Sequence, residues 1–508
     1  MANVLKEYLA ENSGKELDAS MVAYVASLEK VAEVSPLVAA RIVNELADQR
    51  SYLKLIASEN FSSESTQLAM GNLLTDKYSE GFPYHRFYAG CDNVDAIEAE
   101  ACKQACDLFN ADHAYVQPHS GADANLCAYW SILNKEVQVP ALEKIGITNP
   151  SDLSREDWDK VRAACGNQRL LGMDYYSGGH LTHGYRQNVS AQMFDAYGYT
   201  VDKKTGLLDY DVIEKMAMDI KPLILLAGYS AYPRKVDFKR MGEIAKKCGA
   251  VFMVDMAHFA GLVAGKVLED EFNPVIWADV VTTTTHKTLR GPRGGMILCK
   301  EEFAEYVDKG CPLVIGGPLP HVMAAKAIAL TEASKDSFKN YASNIVKNSD
   351  AMAKEFISKG VSVATGGTDN HLMLLDVAKT FDLNGRQAEQ VLRNSGITLN
   401  RNALPFDVNG PWYTSGLRIG TPAVTTLNMG VEQMKEIADI ITSVLANSKP
   451  AIITKGKNSG SPSKSRAVCD KKVQASAKDR VKALLDEFLL YPTLDLEFLQ
   501  KHFPLEAK

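Results

Sequence analysis

The chain has no apolar run near the roughly 20 residues that a membrane-spanning helix requires, so no membrane partner is expected. It has no excess of positive charge either: 56 Lys and Arg stand against 62 Asp and Glu, a formal net charge of -6 at pH 7. That balance gives no ground for nucleic acid as a partner. No CxxC pair exists among the nine cysteines, and only Cys102 and Cys106 fall at helical spacing, so neither zinc nor another metal is expected. Scattered, odd-numbered cysteines suit buried thiols in a reduced, cytoplasmic protein. The segment Met1–Glu7 lacks the charged-then-apolar layout of a secretory leader, and no internal repeat is visible.

What is present is an ordinary globular composition, 46% hydrophobic and 23% charged, over 508 residues. That length is too great for one core and suits two or three domains. Residues 1–60 read as an N-terminal helical arm, with apolar positions at helical spacing from Leu37 through Leu46 and on to Ile56. Residues 61–335 alternate helical patterns with short runs such as Leu170-Leu171-Gly172-Met173, Leu223–Ala227 and Val251–Val254. Runs that short and apolar on both faces read as strands covered by helices on both sides. Asp237 is an N-cap signal for a helix to Cys248, and Gly249 is its stop. The strand that follows ends at Asp255, on the edge where open α/β sheets bind ligands. Residues 135–168 read as a surface insertion, and 336–448 as a smaller α+β domain. Residues 449–508 read as a linker rich in Gly, Ser, Pro and Lys, then a short amphipathic helix near 478–490.

Three segments carry chemistry. The strongest runs from Asp279 through Thr282–Thr285 to His286-Lys287 and the turn Gly291-Pro292-Arg293-Gly294-Gly295. A β-branched strand opening onto hydroxyls, then a lysine and a turn, places an amine where it can form a Schiff base with a carbonyl cofactor. A lone His-Lys would be an ordinary surface pair; the four threonines and the glycine turn argue otherwise. The second is Val254-Asp255-Met256-Ala257-His258. A carboxylate at a strand end can hold the proton on a cofactor's ring nitrogen, although alone it would read equally well as a helix cap. The third, Gln117–Asn125, is a strand, a glycine turn and a helix start whose backbone N–H groups can hold a phosphate. Beside these, Gly178–Gly184 brackets His180 and His183 with glycines, which suits close approach to a ligand. A metal reading there lacks a third ligand nearby in sequence.

Together these motifs resemble the serine hydroxymethyltransferase family. The resemblance spans about 50–445 and includes Leu55–Asn60, Lys77–Gly81, Gln117–Asn125, Gly179–Gly184, Val254–His258, Thr282–Lys287, Thr368–His371 and Ser415–Pro422. It implies the α/β fold of the aspartate-aminotransferase class (fold type I), with a mostly parallel sheet and a smaller C-terminal domain. It implies a transferase that moves the hydroxymethyl carbon of serine to tetrahydrofolate, and a homodimer with shared active sites. By position, Lys287 is the lysine that carries pyridoxal phosphate, Asp255 pairs its ring nitrogen and His180 stacks on the ring. Ser120, Gly121 and Ala122 fall at the phosphate, and Ser230, His258, Thr284 and His286 line the cofactor. Arg418 and Ser58 fall at the substrate carboxylate, and Glu80 is the acid–base group. Tyr78, Glu80, Phe87 and Tyr88 correspond to a stretch lent by the partner subunit, as do Gly316 and Gly317 at its phosphate. Phe87, Leu181 and Asn402 fall at the folate.

The chain departs from that pattern in places. The family usually has Ser-Gly-Ser where this chain has Ser120-Gly121-Ala122, and Asp123 replaces an uncharged residue. Phe87 stands where tyrosine is frequent, and Pro312–Gly317 replaces a more glycine-rich loop. A less firmly held cofactor is therefore expected. Asn402 and Tyr78–Glu80 favour the folate-linked reaction over a threonine aldolase or alanine racemase on the same scaffold. Intact Lys287, Asp255, His180 and Arg418 argue against a non-catalytic or RNA-binding descendant.

Overall fold

The computed structural model describes residues 3–456 and 458–505. The chain opens with helices α1 (Val4–Glu11), α2 (Ala19–Val34) and α3 (Pro36–Gln49). The side chains of Asn3, Asp18 and Ser35 accept the first free N–H groups and so set where each begins. The helical spacing continues to Ile56, but the helix does not. Leu53–Lys54 is extended and pairs in parallel with Ile397–Thr398. Periodicity cannot separate a short buried strand from a helix turn; here pairing with the smaller domain decides, and Leu53 and Leu55 are buried in that domain's core.

Seven strands make the central sheet: β1 (His113–Tyr115), β2 (Arg169–Met173), β3 (Asp195–Tyr199), β4 (Ile224–Gly228), β5 (Val251–Asp255), β6 (Val280–Thr284) and β7 (Gly295–Cys299). Their order is β1-β7-β6-β5-β4-β2-β3. Only β7 runs against the rest. Alternate residues of the central strands enter opposite cores. Ile224, Leu226, Met253 and Val280 pack on one face, and Leu225, Ala227, Phe252, Val254 and Val281 on the other. Burying each large side chain of this kind contributes about 1.5–3 kcal/mol, which explains why these strands read as unbroken apolar runs. Helices α4 (Gly121–Leu133) and α5 (Phe238–Cys248) follow the boundaries that their caps dictate. Ser120 and Asp237 accept the N3 amides, and Gly249 closes α5 in the left-handed conformation. Residues 135–168 form a short π-helical turn and the helices Val139–Ile145 and Arg155–Gly166.

Helix α6 (Pro320–Ala333) precedes α7 (Asp336–Ser358). The first half of α7, with Phe338, Tyr341 and Ile345, lies in the large core; the second half, with Met352 and Phe356, lies in the smaller one. One helix thus spans the division expected near 336. The smaller unit holds an antiparallel sheet of β8 (Leu372–Asp376), β9 (Asn400–Asn402) and β10 (Gly416–Gly420), in the order β8-β10-β9. Helices α8 (Gly385–Arg393) and α9 (Val431–Ala446) cover it. Large mostly parallel sheet and smaller α+β unit together make the fold type I arrangement.

The expected flexible linker after 449 is corrected. Strands β11 (Ser448–Ile452) and β12 (Pro462–Cys469) form an antiparallel hairpin, and the Gly- and Lys-rich segment is its tip. Small residues alternate along β12, with Ser463, Ala467 and Cys469 inward. Side chains of α8 hold its backbone: Asn384 donates to the carbonyl of Lys464, Gln387 donates to that of Ser463, and Gln390 accepts the Ala467 N–H. The helix expected near 478–490 is α10 (Lys471–Glu487), and a further helix, α11 (Leu496–His502), packs Phe498 and Leu499 against α1–α3.

Candidate active site

A cleft of about 840 Å³ opens at the carboxyl edge of β4, β5 and β6, between the large sheet and the smaller domain. Strand β5 delivers Asp255 and β6 delivers Thr284, on neighbouring parallel strands in which Asp255 pairs with Thr282. Just beyond β6 the chain leaves the sheet, and His286 and Lys287 enter the cleft. The Lys287 carbonyl accepts from Asn60 Nδ2 at 2.9 Å, which ties the lysine's backbone to the segment after the N-terminal arm. Burial strips water from the Lys287 amine and, opposed only in part by Asp255, brings it down to about 8. The amine therefore sheds its proton far more readily than a surface lysine.

Asp255 is fully committed by its neighbours. Its Oδ2 accepts from Asn125 Nδ2 at 2.9 Å and lies 3.1 Å from His183 Nε2, while Oδ1 accepts the Ala257 N–H at 3.0 Å. Burial pushes this carboxyl up, but His183, His180 and Asn125 together outweigh that and hold it below the usual carboxylate range. It stays an anion. Asn125 also donates to Thr182 Oγ1 and accepts from Thr282 Oγ1. His180 meets Thr182 Oγ1 at 2.7 Å through Nδ1, and burial lowers it to about 4, so the ring is uncharged at neutral pH. Burial does the same to His286 and His371, each lowered to about 3, and pushes His258 well down. His371 stands behind His258, with ring nitrogens 3.1 Å apart.

On the opposite wall, β10 presents Arg418. Its Nη1 donates to the Ser230 carbonyl at 2.7 Å and its Nε to Asn400 Oδ1 at 3.2 Å, which leaves donors for a ligand. Ser58, Ser120, Gly121, Ala122, Leu181 and Asn402 also line the cleft. At the start of α4, a Cβ on Gly121 would come within 2.7 Å of the Thr284 methyl, so the turn needs glycine there to lie against β6.

Six expected site residues do not line this cleft. Tyr78, Glu80, Phe87, Tyr88, Gly316 and Gly317 stand apart from it, and several gather with one another. Tyr78 donates to Glu80 Oε1 at 3.0 Å, the Tyr78 and Tyr88 rings meet edge-on at 4.9 Å, and Gly317 lies against the Tyr78 ring. Phe87 is 70% exposed and Tyr78 53%. The segment itself is firmly rooted: buried Arg86 donates to Asp95, Glu98 and the carbonyls of Ser79 and Gly81.

The structure also adds residues. Asn125 and His183 fall in quoted motifs but take on their roles only once β5 brings Asp255 beside them. His180, His183 and Asp255 place their ligand atoms within 4.8 Å of one another. The third ligand thought missing from the sequence is thus Asp255, and it already belongs to the hydrogen-bonded network above. Arg293 and Glu59, which fall in quoted motifs that give them no role, also line the cleft, as does Tyr175, which carries no sequence signal.

Comparison with known proteins places the chain beside one family. The family model described as serine hydroxymethyltransferase matches residues 31–146 and 163–441; the unmatched stretch lies within 135–168. A protein named serine hydroxymethyltransferase from Treponema pallidum is 58% identical over 501 residues, 99% of this chain and 86% of the relative. Relatives of the same name from Cutibacterium acnes (51% identical, 93% of this chain and 96% of theirs) and Chlamydia muridarum (50%, 98% and 100%) are also similar.

Proposed function

The chain belongs to the serine hydroxymethyltransferase family, and we propose that the cleft around Lys287 is where its reaction takes place. The enzyme transfers the hydroxymethyl carbon of serine reversibly to tetrahydrofolate, giving glycine and 5,10-methylene-tetrahydrofolate, with pyridoxal phosphate as cofactor. The observation that carries the assignment to this cleft is the pair formed by Lys287, an amine lowered to about 8, and Asp255, a carboxylate held ionised on the adjacent strand.

The residues fit the cofactor. Lys287 would hold it covalently, Asp255 would keep a proton on its ring nitrogen, and His180 would lie against its ring. The Ser120–Ala122 turn offers amide N–H groups and one hydroxyl to a phosphate. Ser230, His258, Thr284 and His286 would line the remaining edge; the buried His286 Nδ1 has no hydrogen-bond partner among the described residues. When bound, the cofactor supplies an electron-withdrawing ring that stabilises the charge left as the serine Cα–Cβ bond breaks.

The chain's own residues do the rest. Arg418, with Ser58, would bind the substrate carboxylate, and its bonds to Ser230 and Asn400 fix the plane of the guanidinium. Lys287 exchanges a proton near neutral pH. The uncharged histidines keep positive charge away from the lysine, and the network behind Asp255 fixes its carboxylate without reorganisation during the reaction. Leu181 and Asn402 would meet the folate.

Tyr78, Glu80, Phe87, Tyr88, Gly316 and Gly317 complete the site from a second copy, in a homodimer with shared active sites. Exposed aromatics on a rigidly anchored segment support this reading. Glu80 would then be the acid–base group at the substrate hydroxyl. The nine free cysteines support a reducing, cytoplasmic setting. Spectral titration tests the whole reading. Purified enzyme mixed with glycine should gain a long-wavelength absorption band only when tetrahydrofolate is added. A cofactor band indifferent to folate would sink the folate-linked reaction and leave an aldolase or racemase.

A further inference from the structure

Lys326 is a buried amine that the reaction does not use, and burial lowers it from its ordinary value to about 7. It sits on α6 with 1% of its surface exposed. Its Nζ donates to the carbonyls of Val116 at 2.6 Å, Pro118 at 2.9 Å and Gly295 at 2.8 Å, which uses all three of its protons. Among the described residues no carboxylate lies within ion-pair distance of it. Glu98, the nearest buried acid to influence it, is held by Arg86 and Gln117. Buried ammonium groups usually have an anion beside them. This one has only carbonyl dipoles.

Those carbonyls belong to the back of the Ser120–Ala122 turn. Pro118 is two residues before Ser120, and its carbonyl also accepts the Gly295 N–H. Gly295 abuts the turn so closely that a Cβ there would stand 2.2 Å from the Ser120 carbonyl oxygen. On the front of the same turn, Ser120 Oγ donates to Asp123 Oδ2 at 3.0 Å, so the chain places a carboxylate of its own where an anionic ligand is to bind. A positive charge behind the turn offsets that carboxylate.

We propose that Lys326 is a positioning residue for the cofactor phosphate, a counter-charge behind the Ser120–Ala122 turn that makes the apo site select the phosphorylated cofactor over its unphosphorylated form. The inference rests on reading that turn as the phosphate cradle.

The test is the binding of pyridoxal 5'-phosphate and of pyridoxal to the full-length apo protein, followed by absorbance. The measured quantity is the ratio of their dissociation constants. Lys326→Gln keeps two N–H donors for the carbonyls and removes the charge; Lys326→Arg keeps the charge. Lys326→Gln should reduce the preference for the phosphorylated form by at least about fivefold, the scale of one charge acting across a few ångströms of protein. Lys326→Arg should hold it within about twofold of wild type. A purely structural lysine would weaken both ligands alike, and an unchanged ratio in Lys326→Gln would overturn the proposal. If Lys326→Gln does not fold, the wild-type protein decides. The nitrogen-15 signal of the Lys326 ammonium should titrate at higher pH with inorganic phosphate bound than without it, against the fixed background of Glu98, Cys102 and Asp123; an unmoved midpoint overturns the idea. A wild-type ratio near one would instead remove the phosphate cradle itself, and the proposal with it.

Discussion

The cleft and the segment 78–88 hold residues of the same functional set under opposite conditions. In the cleft, Lys287, Asp255, His180 and Arg418 are tied by side-chain and backbone bonds to one chain; burial lowers Lys287, His180 and Arg418, while its neighbours hold Asp255 low against burial. On the segment, Tyr78, Phe87 and Tyr88 are exposed, Glu80 is half-buried and accepts from Tyr78, and the buried Arg86 side chain beneath them makes four hydrogen bonds. The first region is a finished site. The second is a rigid platform whose outer face awaits a surface. If segment 78–88 meets the cleft of a second copy as proposed, a single chain builds the cofactor half of one site and offers the acid–base half of another.

The largest test of this division is Lys287→Ala, which should lower kcat at least about a thousandfold, since a covalent nucleophile is lost; steady-state turnover with serine and tetrahydrofolate measures it. Next comes complementation. Lys287→Ala and Glu80→Gln homodimers should each be nearly inactive, whereas refolding an equal mixture should restore about a quarter of wild-type turnover. A hybrid dimer carries one intact composite site if the interface is two-fold symmetric. No recovery would return Glu80 to its own subunit's chemistry. Arg418→Lys should raise KM for serine roughly a hundredfold, because the bidentate fork is lost, with a smaller change in kcat. The pH dependence of cofactor capture should follow Lys287. Its amine is lowered from its ordinary value to about 8. Below that pH the nucleophilic form falls about tenfold per unit, and above it the rate levels off; stopped-flow reconstitution of apo protein shows which. The smallest effect belongs to Asp123→Asn. Removing the carboxylate beside Ser120 should tighten pyridoxal 5'-phosphate binding by about two- to fivefold, as read by equilibrium titration.

The large sheet was legible because two-sided burial writes itself as short apolar runs, and α5 because Asp237 and Gly249 mark its ends. Lys287 and Asp255 were legible because each follows such a run. The hairpin β11–β12 was not: its inward positions are Ser463, Ala467 and Cys469, too small and mixed to separate from a linker, and its backbone is satisfied by Gln387 and Gln390 from far along the chain. The strand at Leu53 was hidden by a helical spacing that tertiary pairing overrode. Lys326 lies in the helical run Ala324-Ala325-Lys326-Ala327, where a lysine reads as solvent-facing. Only the packing of α6 against the cradle reveals its burial.

The joining of α11 to α1–α3 has a consequence for how the protein is made. Val4, Tyr8, Met21 and Val25 are synthesised well before Phe498, Leu499 and Phe503, which complete their apolar cluster. While the chain between them is being made, helices α1–α3 therefore carry an uncovered apolar face. Closing that cluster brings α1–α3 and α11 together, and a nascent chain stopped short of α11 would leave that face open to capture by chaperones.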